Sequence, residues 1–382
     1  LYPKTIETIV YKENSSITHM NTYALLLKDK ELITNEFKYN LSSQKFTHIN
    51  GFERFFLFKD NQEFIYYSHR DQDGGSILYK TNKFTEAEVI GKFKNTLIAM
   101  IQDPTDSEKF YFITQMQIGY MDNKGIHVLF DVTNSKNKTF LQGSFQCFLL
   151  SDQQLLIGST KGLYNFDIQT HKLIYYQSKT ALNVRSLFED PDKNIFCATY
   201  GDGPFLFRNK NSLIRLPQDS KQNLLYAHCF ILDKSDRLWI TSNNGLFVIP
   251  RQQILNHLKD RKLPVNYYSF DRLDGIVGYE FNGGCNPCAV KNNQNELFFP
   301  SLKGIVRVNT QAVDFIFPAD SIIVDQIKVN NHLMSFPKGK LEFRSDYDNL
   351  TFYITTPFYG HRQNLHMEYM FEGKADEWEP IT

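Results

Sequence analysis

The sequence contains little tryptophan or cysteine, no excess of either charge and no long apolar segment. Only 2 of its 382 residues are Trp, and 5 are Cys. Lys plus Arg and Asp plus Glu number 42 each. The chain therefore lacks the basic surface that holds a nucleic-acid backbone, and we expect no nucleic-acid partner for this region. No segment approaches the roughly 20 apolar residues that span a bilayer, so we expect membrane contact only through segments outside this chain.

Known catalytic motifs are absent as well. The sequence contains no HExxH, GxSxG, GxxxxGKS/T or paired CxxC motif, and its 10 His residues are scattered singly. We therefore expect no catalysis in this region, no cofactor and no metal. The two carboxylates of a glycosidase need a separation of roughly 5–10 Å, which a sequence does not give. A hydrolase or lyase acting on polysaccharide stays open as an alternative, as does a protein-interaction scaffold.

Aromatic residues are abundant, with 33 Phe and 21 Tyr, as is typical of β-strands. A unit of polar turn, apolar strand, Gly turn and second apolar strand recurs along the chain. Its clearest copy is DKSDRLWITSNNGLFVIP at 233–250, and others lie at 152–167, 192–207 and 295–309. The repeated Gly falls in steps of 44, 43, 41 and 42 residues, at Gly75, Gly119, Gly162, Gly203 and Gly245. This period is typical of β-propeller blades.

The repeats predict an all-β chain in which residues 1–311 form a seven-bladed β-propeller. The last blade supplies only three strands, so we expect TIETIVYK (5–12) to pair with GIVRVN (304–309) as a closing strand. Trp239 should be buried, and the insertion at 251–262 has the apolar spacing of a short helix outside blade six. The periodicity stops after residue 311. Alternating strands in residues 312–382 predict a partial, Ig-like β-sandwich module.

The cysteines fall into two groups. Cys147, Cys197 and Cys229 lie in apolar strand segments, which indicates small buried thiols. Cys285 and Cys288 form a lone CxxC motif, compatible with two packed thiols, a local disulfide or half of a metal site. The second pair that a zinc site needs is absent.

Several segments together resemble a known family. The units DRLWITSNNGLFVIP and DQQLLIGSTKGLYNFD resemble the two-component regulator propeller repeat, and residues 267–283 resemble its entry into the last blade. The tail LTFYITTPFYG to LHMEYMFEGKADEWEP resembles the start of a triple-tyrosine module, with Tyr369, Gly373 and Trp378 at matching positions. Blades four to seven carry the propeller resemblance, and the final part of the tyrosine module has no counterpart here.

The resemblance implies a role in signalling. Propellers of this family are similar to periplasmic sensor regions of membrane-bound regulators in Bacteroidetes-type bacteria. They often sense oligosaccharides and feed a histidine kinase or a helix-turn-helix output. The resemblance thus implies the periplasmic, ligand-sensing ectodomain of an inner-membrane hybrid two-component sensor histidine kinase or helix-turn-helix regulator. The implied partners are an oligosaccharide or other small ligand and a second copy of the chain in a homodimer.

Propeller geometry suggests where such a ligand would bind. The starts of the innermost strands and the Gly-closed turns emerge on one face around the channel, and sugar sites combine aromatic faces with planar polar groups. A lone His in a strand is more often a hydrogen-bonded core residue than a ligand contact, so His228 has a structural interpretation as well. The predicted binding residues are Arg185, Tyr200, Asp202, Tyr226, His228, Asn243 and Asn282.

Overall fold

The computed structural model of the protein describes residues 5–9, 22–49, 57–84, 86–134, 143–176, 181–208, 212–219, 221–284, 286–315, 321–335, 339, 342, 348–373 and 378–381. The chain divides into two compact units, Leu1–Val313 and Asp314–Thr382. The first unit carries the sequence repeats.

The described part of the first unit is built almost entirely from short strands. In chain order these begin with β1 (Ile6–Ile9), β2 (Leu25–Lys28), β3 (Glu31–Thr34), β4 (Phe37–Asn40), β5 (Lys45–His48), β6 (Leu57–Lys59), β7 (Ile65–Arg70), β8 (Ser76–Lys83) and β9 (Glu86–Phe93). They continue with β10 (Leu97–Gln102), β11 (Phe110–Thr114), β12 (Gln117–Asp122), β13 (Gly125–Asp131), β14 (Phe145–Ser151), β15 (Gln154–Ser159), β16 (Leu163–Asp167), β17 (Leu173–Tyr176) and β18 (Val184–Glu189). The last are β19 (Ile195–Thr199), β20 (Phe205–Arg208), β21 (Ser212–Arg215), β22 (Ala227–Leu232), β23 (Arg237–Ser242), β24 (Gly245–Pro250), β25 (Tyr268–Phe270), β26 (Val290–Lys291), β27 (Glu296–Ser301) and β28 (Gly304–Asn309). Single 3-10 turns lie at Asn223–Leu225, Arg272–Asp274 and Thr310–Ala312.

These strands form seven four-stranded antiparallel sheets, called blades 1 to 7 below. Blades 1 to 6 each use four consecutive strands: β2–β5, β6–β9, β10–β13, β14–β17, β18–β21 and β22–β25. Blade 7 consists of β26, β27, β28 and β1, in that order. From blade 7 through blade 1 to blade 6, the first strands of successive blades contact one another, so they line a central channel. The first unit is therefore an all-β propeller, as the repeats predict.

Blade 7 joins the two ends of the propeller sequence. β1 pairs with β28 in antiparallel register, with Ile6 opposite Val308 and Glu7 opposite Arg307. Ile6 is buried, and Arg307 Nη1 lies 2.9 Å from Glu7 Oε1. The predicted pairing is thus present in the structure, while residues 10–12 of the predicted strand lie outside the described residues.

The second strand of a blade is buried on both faces. In β23, Leu238, Trp239 and Ile240 are all completely buried, because each blade is covered by neighbours on either side. The Trp239 ring stacks on Phe270 with centroids 5.6 Å apart, and its Nε1 donates to Asp233 Oδ2 at 2.9 Å. The predicted burial of Trp239 is confirmed.

A buried aspartate organises the turn between the first and second strands. In blade 6, Asp233 Oδ1 accepts from the backbone N–H groups of Ser235 and Arg237, and Oδ2 accepts from Arg237 Nε at 2.7 Å. Asp60 in blade 2 and Asp190 in blade 5 likewise each accept hydrogen bonds from two backbone N–H groups of their own turns. These carboxylates hold their own turns, so their role is structural.

The hairpin between the second and third strands is closed by a hydroxyl and a glycine. Ser159 Oγ accepts from the backbone N–H groups of Lys161 and Gly162, and it donates to the Gly162 carbonyl. The glycine adopts the left-handed conformation that a side chain disfavours. Gly162, Gly203, Gly245 and Gly304 all have a positive φ.

The insertion after β24 forms one helix, α1 (Arg251–Lys259). Its Ile254 is buried in a cluster with Ile249 and Tyr267 of blade 6. Arg251 Nη1 lies 2.8 Å from Asp190 Oδ2, and this ion pair fixes the helix start to blade 5. The predicted short helix outside blade six is confirmed.

The second unit contains short antiparallel strands. β29 (Ile323–Val329) pairs with both β30 (His332–Ser335) and β31 (Leu350–Thr355), and β32 (Glu368–Tyr369) pairs with β33 (Glu379–Pro380). A 3-10 turn lies at Arg362–Asn364. The assignment of this unit to an Ig-like sandwich and a tyrosine module stays a prediction. Within the described ranges of both units, no helix is long and apolar enough to cross a membrane.

Candidate functional site

The innermost strands of blades 3 to 6 share a β-bulge near their first residue. The pairing register shifts around one extra residue in β10, β14, β18 and β22, and these extra residues are Ile98, Gln146, Arg185 and His228. A bulge bends its strand and re-aims the extra side chain. Four neighbouring blades therefore each present one re-aimed residue at the same end of the central channel, called the channel mouth below.

Five of the seven predicted binding residues meet at the channel mouth. Tyr200 follows β19 and forms a β-bridge with Tyr226, which precedes β22. Their rings are in edge contact with centroids 4.9 Å apart, and the His228 ring lies 6.0 Å from Tyr200. His228 Nε2 lies 2.5 Å from Asn243 Oδ1. Arg185 completes the group, because its guanidinium carbon lies 5.1 Å from the centre of the Tyr200 ring.

The exposure of these side chains differs. Tyr200 is 40% exposed, although its backbone is held by a hydrogen bond from its N–H to the Asn183 carbonyl at 2.9 Å. His228, in contrast, is only 2% exposed. Tyr200 is therefore an aromatic surface in a fixed position, as sugar binding needs, whereas the His228 ring is buried and stacks against Tyr200.

Burial controls the charge of His228. Desolvation lowers the pKa of its imidazole to about 4, the Asn243 hydrogen bond opposes this shift, and the nearby positive Arg185 adds to it. The ring is therefore neutral near pH 7. Since the Asn243 amide oxygen only accepts, Nε2 carries the proton and Nδ1 is an acceptor. Nδ1 is buried and has no hydrogen-bond partner in the part of the chain that the structure describes.

Arg185 is a partly buried cation with no opposite charge beside it in the described part of the chain. Among the described residues, no carboxylate lies within ion-pair distance of its guanidinium, and its Nε is buried without a hydrogen-bond partner. Desolvation lowers the pKa of Arg185 below its usual value. The Tyr200 ring supplies a cation–π contact, which compensates only part of the lost hydration.

Residues 282–284 and 286–288, together called the channel segment, cross the mouth before β26. The Asn286 carbonyl accepts from Leu57 N–H of blade 2 at 3.2 Å, and its side-chain amide donates to the carbonyls of Ile98 and Gln146 at 3.4 Å each. A Cβ on Gly283 would lie 2.4 Å from His228 Nδ1, so the backbone there covers the imidazole. The segment thus touches the first strands of blades 2, 3, 4 and 6.

A disulfide anchors the channel segment. Cys229 of β22 is bonded to Cys288, and the two α-carbons lie 5.8 Å apart. Cys229 is buried, as predicted, but it forms this disulfide and is not a free thiol. The cysteine that Cys288 bonds is distant in sequence, and its CxxC neighbour Cys285 lies outside the described residues. Sequence spacing does not reveal that the segment returns to β22. Cys147 and Cys197 are buried free thiols as predicted, and burial raises the pKa of the Cys147 thiol to about 12.

The other two predicted residues lie at the edge of this group. Asp202 is at the tip of the Gly201–Gly203 turn, and its carbonyl accepts from Arg215 Nε at 3.0 Å. Asn282 is 6% exposed, and its side-chain amide donates to the Thr22 carbonyl. The amide of Asn282 therefore joins the channel segment to the start of blade 1.

The fold is similar to solved propeller structures, whereas no known protein family and no curated protein matches the sequence. The extracellular domain of BT3049, assigned to the hybrid two-component systems of B. thetaiotaomicron, aligns over 99% of this chain with a TM-score of 0.64 and 15% identity. The corresponding domain of BT4673 aligns over 88% with a TM-score of 0.60 and 12% identity. The alignments cover 52% and 48% of those chains, so this chain spans about half their length.

A streptogramin B lyase has the same fold. It aligns over 80% of this chain and 97% of its own length, with a TM-score of 0.58 and 12% identity. Because all these identities are below 25%, the similarities establish the propeller fold alone.

Sequence reasoning missed Gln146 and Asn286. Gln146 Oε1 is buried at the mouth without a hydrogen-bond partner among the described residues, and Asn286 bridges blades 2, 3 and 4. A sequence signal exists for the bulges, since a small buried residue directly follows each extra residue. These small residues are Ala99, Cys147, Ser186 and Cys229.

Proposed function

We propose that this chain is an extracytoplasmic ligand-sensing region of a membrane-bound two-component regulator and that its ligand is an oligosaccharide. The observation that carries the proposal is Tyr200. An aromatic ring that is 40% exposed and held by Arg185, Tyr226 and His228 is a preformed stacking surface for a sugar ring.

Two further observations support a sensor region outside the cytoplasm. The extracellular domain of a B. thetaiotaomicron protein assigned to the hybrid two-component systems has a similar fold, and the alignment covers 99% of this chain. The Cys229–Cys288 disulfide suits an oxidising compartment such as the periplasm. A ligand at the mouth would signal only if it had different affinities for two arrangements of the whole protein, and a homodimer would supply such arrangements.

Calorimetric titration of the 382-residue chain with a panel of neutral and acidic oligosaccharides tests this function. We expect at least one member to bind, and Tyr200→Ala to weaken it by about 1–2 kcal/mol through the lost stacking contact. Tyr175→Ala is a matched control, because Tyr175 is also exposed, at 38%, but lies on the outermost strand of blade 4.

The result separates the competing functions. Binding that survives Tyr200→Ala unchanged contradicts a site at the channel mouth. Cleavage of a panel member, seen as new products by chromatography, would instead favour the polysaccharide hydrolase or lyase.

A further inference from the structure

The channel mouth contains polar groups whose hydrogen-bonding capacity is unused. Among the described residues, Gln146 Oε1, Arg185 Nε and His228 Nδ1 are all buried without a hydrogen-bond partner. Buried polar atoms in native proteins are paired in the great majority of cases. Three unpaired atoms at three neighbouring bulges therefore mark a place where bound partners are expected.

These groups are positioned by the repeat itself. Each of the three residues is the extra residue of a bulge in an innermost strand, so their spacing follows the blade geometry and not the flexibility of a loop. Tyr200 lies against two of them, 5.1 Å from the Arg185 guanidinium carbon and 6.0 Å from the His228 ring.

The chemistry of the groups specifies the ligand. Gln146 Oε1 accepts hydrogen bonds, which sugar hydroxyls donate. His228 Nδ1 is an acceptor as well, but the backbone at Gly283 covers it, so the ligand contacts are expected at Gln146 and Arg185. The guanidinium of Arg185 is a donor with a full positive charge. A planar guanidinium pairs best with an oxyanion such as a carboxylate or a sulfate, through two parallel hydrogen bonds.

We propose that Arg185 binds the anionic group of an acidic sugar, a carboxylate or a sulfate, whose ring lies beside Tyr200. This inference deepens the proposed function and rests on it, because it names the chemical class of the oligosaccharide. Among the described residues, the cation has no carboxylate of this chain to compete with the ligand.

Thermal unfolding of the 382-residue chain, with probes added at fixed ionic strength, tests the inference. The probes are glucuronate, glucose 6-sulfate and the neutral glucuronamide, which has the shape of glucuronate without its charge. We expect a saturable rise of Tm with glucuronate or the sulfate and a much smaller one with glucuronamide. The response to the two anions distinguishes a carboxylate site from a sulfate site.

Two variants locate the effect. Arg185→Gln should raise the half-saturating anion concentration at least about tenfold, because a hydrogen-bonded charge is lost, and Arg185→Lys should restore part of the affinity. Arg261→Gln removes an exposed positive charge after α1 and should leave the response as in the wild type. Sulfate also stabilises proteins by exclusion from their surface, and that effect is the same in all variants.

The measurements separate failure of the anion site from failure of the proposed oligosaccharide-sensing function. An anion response that is equal in the wild type and Arg185→Gln, or absent in both, overturns the inference. Tyr200-dependent binding of neutral oligosaccharides in that case leaves the proposed function standing. An Arg185-dependent anion response without any oligosaccharide binding retains the anion site and overturns the sugar ligand.

Discussion

Cys229 on the innermost strand of blade 6 is covalently bonded to Cys288 in the segment that crosses the channel mouth. The bonded cysteines are 59 residues apart, and the loop between them contains α1 and the strands β23, β24 and β25 of blade 6. Because a cross-link of this span reduces the entropy of the unfolded chain, the double variant Cys229→Ser/Cys288→Ser should lower the free energy of unfolding by about 2–4 kcal/mol.

Denaturant unfolding with and without dithiothreitol measures this effect. The reductant should destabilise the wild type by a similar amount and leave the double variant unchanged, since Cys147 and Cys197 are already free thiols. A wild type that is indifferent to reductant would contradict the disulfide.

Trp239 anchors the turn of blade 6 as well as its core. Trp239→Ala should cost about 3–5 kcal/mol, because a large buried side chain is lost and a cavity remains. Trp239→Phe keeps most of the volume but removes the donor to Asp233, so a cost of about 1–2 kcal/mol is expected. Equal stability of Trp239→Ala and the wild type in urea unfolding would show that the side chain is not part of the core.

The repeat predicted the propeller because several blades use the same local chemistry. A buried Asp holds a hairpin in blades 2, 5 and 6, a hydroxyl–glycine pair closes a hairpin in blades 4, 5 and 7, and both signals are short-range. Gly119 fits the repeat period but does not have the turn role of the other repeat glycines. It lies inside β12, where a Cβ would approach the His127 carbonyl to 2.3 Å, so this glycine allows close packing and does not form a turn.

The mouth was predicted only in part. Tyr200 and His228 were found because turn ends and strand starts meet on one face. The channel segment was not predicted, because its contacts with Ile98 and Gln146 are 188 and 140 residues away in sequence. No local pattern encodes where a segment between blades folds back.

The closing strand should contribute strongly to stability. Deletion of residues 1–12 removes β1 and exposes the edge of β28, so Tm should fall clearly. Ile6→Ala, which only creates a cavity, should cost about 2–4 kcal/mol. Glu7→Gln should cost less than about 1 kcal/mol, because its ion pair with Arg307 is partly exposed. A deletion variant with the wild-type Tm would contradict closure by this strand.

His228 should make stability depend on pH. Its pKa is about 4 in the folded chain against 6.5 in the unfolded chain, so below pH 6.5 the unfolded state binds the extra proton. Stability should therefore fall as the pH is lowered from about 6.5 to about 4, by on the order of 3 kcal/mol at most. His228→Gln, compared with the wild type by denaturant unfolding at several pH values, should remove this component. Parallel pH profiles of the two proteins would contradict the assignment.

Arg237 has a carboxylate partner, whereas Arg185 has none among the described residues. The same Arg→Gln substitution should therefore change the free energy of unfolding differently at the two positions. Arg237 Nε donates to Asp233 at 2.7 Å. Arg237→Gln therefore leaves the buried Asp233 carboxylate without an opposite charge and should cost about 3–5 kcal/mol. Arg185 has lost hydration without gaining a carboxylate in the described chain. Without ligand, Arg185→Gln should therefore leave the free energy of unfolding unchanged or raise it by about 1 kcal/mol, since binding residues are often held at the expense of stability. Urea unfolding of both variants at neutral pH measures the difference. A loss above about 1 kcal/mol for Arg185→Gln would mean that the guanidinium stabilises the folded mouth itself, and the charge would then not be reserved for a ligand.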